Sequence, residues 1–415
     1  MKAISFHVSV PRYLLARSVG RVSEWARFGP LGGLRFSERP DAFLPGEDWV
    51  RLRVLAAGIC GTDLANVTFS ASPAMEPFGS FPAVLGHEIL AEVEEVGAGV
   101  RSIEPGRRVA VDPFVSCRVR GYPEDRWCPS CSRGWPGTCA MAGEDGEVEV
   151  DGVPLSRGLT IGYHRDLPGG WGERMVAHES QLHPVPEGVS GKAAVLTEPL
   201  AIGMHAALNA PPSPTDDVLV IGSGPIALGT VWALRAQGFQ GTLVAQTKRA
   251  HEGRLARRLG ADQVVSPGLE ARQALVETGA MAYQPLVGPE VYSGGGFPVI
   301  YDCVGNAGSL DQALRFASPR GRVVLLGCAA QLRKLDLTFL WARELEVKGF
   351  VGYGIEEWRG GRAHTFQVVH QLLEERDAPV GELVTHVFPL AEYRRALSAA
   401  ANHDRSEAVK VVLEP

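Results

Sequence analysis

Apolar positions between residues 48 and about 190 fall in short runs punctuated by Gly and Pro. WVRLRVLAAGI (49–59) and ILAEVEEVGAGV (89–100) alternate apolar and polar positions or run apolar. This pattern predicts short strands joined by loops, and so a β-rich first domain. The texture changes near residue 191. KAAVLTEPLAIGMHAALNA (192–210) has helical spacing, PPSPTDD (211–217) is a polar connection, and strands then alternate with helices. VLVIGSG, TLVAQT, PVIYDCVG, GRVVLLGC and LEVKGFVGY are predicted strands, with PIALGTVWALRAQG and GRLARRLGA as helices. Continuous Val/Ile/Leu strands separated by helices imply a parallel sheet covered on both faces. The tail from residue 357 returns to helix, strand, helix and strand (TFQVVHQLLEER, VTHVFPLAEYRRALSAA, AVKVVLEP). The expected division is therefore 1–190, 191–356 and 357–415, the last segment rejoining the first domain. There is no internal repeat and no low-complexity tract.

Within VLVIGSGPIALG the spacing Gly222-x-Gly224-x-x-Ala227 lies between a predicted strand and a predicted helix. Gly222 suits a tight turn, Gly224 a close backbone approach to a pyrophosphate, and Ala227 close helix–strand packing. Pro225 opens the helix whose free N–H groups would receive the phosphate. Such a Rossmann turn calls for an acid at the end of the next strand to hold the ribose hydroxyls. Here that strand runs into Gln246, Thr247, Lys248 and Arg249. A polar residue followed by two cations suits a 2′-phosphate, and NADP(H) is expected over NAD(H).

At 415 residues the chain can bury two cores. A net charge of -6 without any Lys/Arg-rich block argues against a nucleic-acid or anionic-membrane surface. The first twenty residues lack an uninterrupted apolar run with a cleavage signal, so a cytoplasmic protein is expected. Seven cysteines, an odd number with tight C-x2-C spacing, point to metal thiolates rather than disulfides. Cys303 and Cys328 lie in apolar runs and are expected to be buried small hydrophobes. Cys128-x2-Cys131-x7-Cys139 supplies three ligands of a tetrahedral thiolate site. The fourth is either Cys117, across an inserted RVRGYPEDRW, or Asp125. Thiolate is the softer ligand and favours Cys117. Further clusters bear on a second metal: Cys60-Gly61-Thr62-Asp63, Gly86-His87-Glu88, and Thr197-Glu198-Pro199. A mixed sulfur, nitrogen and oxygen set with one exchangeable position is the pattern of catalytic zinc.

In this order, GICGTD, LGHEI, the cysteine lobe, TEPLA, GSGPIALG and YDCVG resemble the zinc-dependent medium-chain dehydrogenase/reductase superfamily of alcohol, sorbitol and threonine dehydrogenases. The resemblance covers nearly the whole chain. It implies an α/β protein with a GroES-like β-rich catalytic domain and a Rossmann doubly wound dinucleotide-binding domain, the structural-zinc lobe spanning about 112–142. It implies catalytic zinc held by Cys60, His87 and either Glu198 or Glu88, and structural zinc held by Cys117, Cys128, Cys131 and Cys139. Asp63 would receive the N–H of the ligand imidazole. Pro199 disfavours helical geometry at Glu198 and would fix its direction. Thr62 matches a hydroxyl that passes the alcohol proton onward. The family often completes that relay with a His five residues after the ligand Cys, but this chain has Ala65, leaving Asn66, Glu88 or water. Cys303, Val304 and Gly305 would line the cofactor.

The implied reaction is hydride transfer between a secondary alcohol or polyol, or its carbonyl form, and the nicotinamide, in a homodimer or homotetramer. Oxidation of aldehydes or thiol adducts is a variant of it. Zinc-free quinone or enoyl reductases usually lack the Cys-His-Glu set, and a non-catalytic relative would not need Cys60, Thr62, His87 and Glu198. Loops 66–80 and 163–172, with Phe69, Met75, Phe78 and Trp171, are expected to wall the substrate pocket.

Overall fold

The strand Trp49–Gly58 buries alternate side chains and organises the first half of the molecule. It pairs antiparallel with Glu88–Val96, with Arg174–His178 and, at its end, with Lys410–Glu414. Arg108–Val111 and Leu182–Pro184 extend the sheet on one side. On the other, Val384–Pro389 lies parallel to Lys410–Glu414, so the tail is built into this sheet. The register sets Gly58 opposite both Glu88 and Val412. Three distant segments, at residues 58, 88 and 410, thereby meet at one end of the sheet.

This computed structural model describes residues 1–19, 24–328 and 330–415, in two compact units. The first contains Met1–Glu198, Tyr353–Glu374 and Val384–Pro415; the second contains Pro199–Gly352 and Glu375–Leu383. Among the described residues, the second unit holds six parallel strands. Their order is Gln263–Val265, Leu243–Gln246, Val218–Ile221, Phe297–Asp302, Ala317–Leu325 and Glu346–Gly349. The second, third and fourth of these are buried nearly throughout, as expected of a sheet covered on both faces. Strand order reverses between Val218–Ile221 and Phe297–Asp302, the position where open α/β sheets bind ligands. The architecture is the expected α/β combination of a β-rich unit and a unit built on a parallel sheet.

The predicted helix at 192–210 is two helices, Gly191–Ala194 and Thr197–Asn209. Glu198 is in the first turn of the second despite the proline after it. Proline is tolerated in a first turn because the N–H it lacks would have no intrahelical partner there. A hairpin of Met281–Tyr283 and Val291–Ser293 has no counterpart in the sequence reading, because its strands are too short to show a period. Cys328 is exposed rather than buried: it follows the end of the strand Ala317–Leu325.

Candidate active site and metal centres

Cys60 is the N-cap of the short helix Gly61–Val67, and Asp63 folds back to accept the Cys60 backbone N–H at 2.9 Å. That spacing explains GICGTD locally, because a residue three positions into the helix can satisfy the cap. The other Asp63 oxygen accepts the Tyr163 hydroxyl at 2.6 Å and lies 3.4 Å from His87 Nδ1. Asp63 is fully buried, so its carboxylate is fixed between the Cys60 backbone, Tyr163 and the His87 ring. The Thr62 hydroxyl is 3.7 Å from Cys60 Sγ. Ligand atoms of Cys60, His87 and Glu88 lie within 4.8 Å of one another.

Gly86, at φ +93°, brings the chain against Trp171: a Cβ there would lie 2.3 Å from the indole. Trp171 is fully buried, and its Nε1 donates to the Gly58 carbonyl at 3.4 Å. It is therefore a core beam behind the site and not a pocket wall, contrary to the sequence expectation. Met75 and Phe78 are exposed, and Phe69 packs against Phe6 and Tyr13.

Both oxygens of Glu88 are 2.6 Å from Lys410 Nζ, which also donates to the Ile59 carbonyl at 3.2 Å. Gly58 makes room for that carboxylate; a Cβ would meet Glu88 Oε2 at 1.8 Å. Lys410 and Tyr163 escaped the sequence reading. The only signal for Lys410 was a lone lysine inside the apolar run AVKVVLEP, since lysine is almost never buried unpaired.

Glu198 is buried, and its Oε2 has no hydrogen-bond partner among the described residues. Burial pushes its carboxyl up to about 7, with Glu88 adding to the rise while His87 and Lys410 oppose it. The Tyr353 hydroxyl approaches it outside hydrogen-bonding geometry and also lacks a partner. Glu198 lies outside the group of ligand atoms formed by Cys60, His87 and Glu88, but its charge interacts with His87 and Glu88, and an unused carboxylate oxygen of this kind is a donor that zinc accepts beside S and N.

In the lobe, Cys117, Cys128, Cys131 and Cys139 are all buried and bring their sulfurs within 4.8 Å of one another. Cys139 Sγ is 3.7 Å from Cys117 Sγ and 4.0 Å from Cys128 Sγ. A tetrahedron with Zn–S bonds of about 2.3 Å has edges of roughly 3.8 Å, so the sulfurs fit the metal. Backbone N–H groups of Cys117, Cys128, Cys131 and Ala140 point at these sulfurs over 3.4–3.5 Å and favour the thiolate form. Asp125 lies on the exposed turn Glu124–Arg126, outside the cluster.

In the second unit, Gly224 is the N-cap of the helix Pro225–Ala236, and a Cβ there would meet nothing within 4 Å. Gly222 has φ +128° and is crowded by Ala227, Val304 and Cys303, each 3.3–3.4 Å from a built Cβ. Small residues thus let the turn close while one face stays open for a phosphate. Asp302 accepts the N–H groups of Val304 and Gly305 at 3.0 and 3.1 Å, shaping the neighbouring loop. Gln246 is buried and paired with Gln312, Thr247 is buried, and Lys248 is exposed. Arg249 Nη1 donates to Glu252 at 2.6 Å, an engagement the sequence reading did not foresee.

A third cluster, Asp112, His183 and His364, also gathers ligand atoms within 4.8 Å. Its two imidazoles stack at 4.1 Å and 18°. Asp112 Oδ2 lies 3.3 Å from His364 Nε2, and His183 Nε2 has no hydrogen-bond partner among the described residues.

A family model described as "Alcohol dehydrogenase GroES-like domain" matches residues 46–187, and one described as "Zinc-binding dehydrogenase" matches 225–366. L-galactonate-5-dehydrogenase from Escherichia coli K12 is 28% identical over 352 residues, covering 84% of this chain and 86% of its own. A zinc-binding dehydrogenase from Sinorhizobium meliloti 1021, solved bound to NADP, superposes with a TM-score of 0.70 at 26% identity, covering 100% and 99%. An alcohol dehydrogenase from E. coli CFT073, solved with NADH, gives a TM-score of 0.71 at 25% identity, covering 100% and 99%. This chain belongs to the zinc-dependent medium-chain dehydrogenase/reductase superfamily. It is an alcohol/polyol-type oxidoreductase that uses zinc and a nicotinamide cofactor.

Proposed function

We propose that the protein oxidises a secondary alcohol of a polyhydroxylated substrate, or reduces the matching ketone, with NADP(H) as the preferred cofactor. The observation that carries the reading is the convergence of half-buried Cys60 with buried His87 and Glu88, together with a buried Glu198 oxygen that has no partner among the described residues. Cys60, His87 and Glu198 would hold catalytic zinc. Bound there, zinc supplies a Lewis acid that lowers the pKa of an alcohol hydroxyl, and the oxidised nicotinamide supplies the hydride acceptor.

The chain's own groups do the rest. Asp63 orients the His87 ring and favours the tautomer whose other nitrogen is free to ligate. The Thr62 hydroxyl takes the alcohol proton and passes it on as the hydride leaves carbon. Asn66, which donates to the Thr62 carbonyl at 3.0 Å, sits on the same helix face. Lys410 holds Glu88, so direct ligation by Glu88 would require opening a buried ion pair.

Cofactor choice rests on the strand end, where Gln246 replaces an acid and Lys248 offers an exposed cation. The relatives solved with NADP and with NADH show that cofactor varies at this level of identity. Acyclic polyols and sugar acids are the substrate class, in keeping with the L-galactonate-acting relative. A homo-oligomer working in the cytoplasm accords with this role. The test is a panel of such compounds assayed with NADP+ and NAD+. Higher kcat/KM with NADP+ on a secondary alcohol supports the proposal; preference for NAD+, or no turnover of any polyol, contradicts it.

A further inference from the structure

The segment between the first two lobe cysteines buries a charge that the chemistry above does not use. Arg120 is fully inaccessible to solvent. Its guanidinium donates only to backbone carbonyls: Glu144 at 2.7 Å, Ala142 at 3.5 Å, and Gly158. Nε has no partner, and among the described residues no carboxylate forms an ion pair with it. Burying an unpaired cation is costly unless some other negative charge offsets it. The ionisable groups around it are Cys139 and Cys117, the Tyr122 phenol and the exposed Asp145; its partner carbonyl at Ala142 lies just past Cys139, whose carbonyl accepts the Ala142 N–H at 3.3 Å. Nearby His164 is kept neutral by burial, which pushes it down to about 4.

Four thiolates around one zinc ion carry a net charge of minus two, buried in the same lobe. We propose that Arg120 is the built-in counter-charge of the cysteine site and sets how tightly the lobe keeps its metal. This rests on reading the lobe as a zinc site and is independent of substrate and cofactor. The carbonyls that hold Arg120 belong to residues 142, 144 and 158, beyond the last lobe cysteine. The Arg120 carbonyl in turn accepts the N–H groups of Glu147 and Val148 at 2.7 and 3.1 Å. A Cβ on Gly146 would lie 2.9 Å from that carbonyl, so the loop closes tightly over the arginine. The cation is therefore fixed in place and cannot turn toward solvent. In a medium of low effective dielectric, a fixed positive charge buried in the same lobe as four thiolates favours retention of the ion.

The test uses the full chain with Cys60→Ser, which leaves the lobe as the remaining zinc site, and measures zinc affinity by competition with a chromogenic chelator. Arg120→Gln keeps hydrogen-bonding capacity, Arg120→Met keeps volume without donors, and Arg120→Lys keeps charge. Circular dichroism in zinc-supplemented buffer checks that each variant is folded. The expected result is a loss of about tenfold or more in zinc affinity for Arg120→Gln and Arg120→Met, with Arg120→Lys closer to the parent. Arg120→Met leaves no orphaned donor in the core, so it carries the test if Arg120→Gln fails to fold. The proposal is overturned if the neutral variants bind zinc as tightly as the parent. It is also overturned if Arg120→Lys loses as much affinity as they do, or if the Cys60→Ser parent holds no zinc at all.

Discussion

Lys410 Nζ lies 2.6 Å from both carboxylate oxygens of Glu88, and the two side chains are 3% and 1% exposed. The pair joins the last strand of the chain to the residue that follows His87. Removing one partner would strand a buried charge, at a cost of about 3–5 kcal/mol. Lys410→Met is expected to lower the denaturation midpoint sharply, and Glu88→Gln added to it should recover much of the loss. Equal stability of Lys410→Met and the parent in chemical denaturation would refute the pairing.

Thr62→Ala removes the hydroxyl 3.7 Å from Cys60 Sγ without touching a proposed ligand. Turnover should fall by about a hundredfold or more while zinc content stays at the parent level. Parallel kcat and metal measurements separate this outcome from simple loss of the metal.

His183 titrates well below its ordinary 6.5, because burial, and then His364 and His370 beside it, oppose a positive charge. Its native pKa is depressed, so below 6.5 the unfolded chain binds a proton that the native protein refuses. Stability from this group is complete above 6.5 and is lost as pH falls below it. His183→Phe should therefore lose less stability than the parent between pH 7 and 5, by about 2 kcal/mol in all, nearly all of it below pH 6.5. Parallel denaturation curves at the two pH values check the difference; identical losses would remove His183 from the account.

Gln246→Asp places a carboxylate where the ribose would lie and breaks the pairing with Gln312. Efficiency with NADP+ should drop by about tenfold or more through repulsion of the 2′-phosphate, while NAD+ is spared. An unchanged NADP+/NAD+ ratio would mean that this strand end does not select the cofactor.

The strand–turn–helix at Gly222 and the alternation of later strands and helices were legible because local spacing encodes them. The clusters around Cys60, His87 and the lobe were legible because a ligand set requires particular residue types at short intervals. Lys410 was not, since it reaches Glu88 through sheet register across 322 positions of chain. Arg120 read as one more charge in a polar insertion; only the surrounding carbonyls show that it is buried. Trp171 misled for the opposite reason: an aromatic in a loop suggests a pocket wall, but the positive φ of Gly86 draws it into the core. The exposure of Cys328 likewise depends on where its strand stops.

In the proposed function two zinc sites divide the labour, with Cys60 in the working one and Cys117 in the lobe. Metal analysis beside turnover, on the parent, Cys60→Ser and Cys117→Ser, tests it most directly. About two zinc ions per chain are expected in the parent and one in each variant, with turnover abolished in Cys60→Ser even when the protein remains folded. A Cys60→Ser protein that keeps two zinc ions and turns over its alcohol substrate would contradict it.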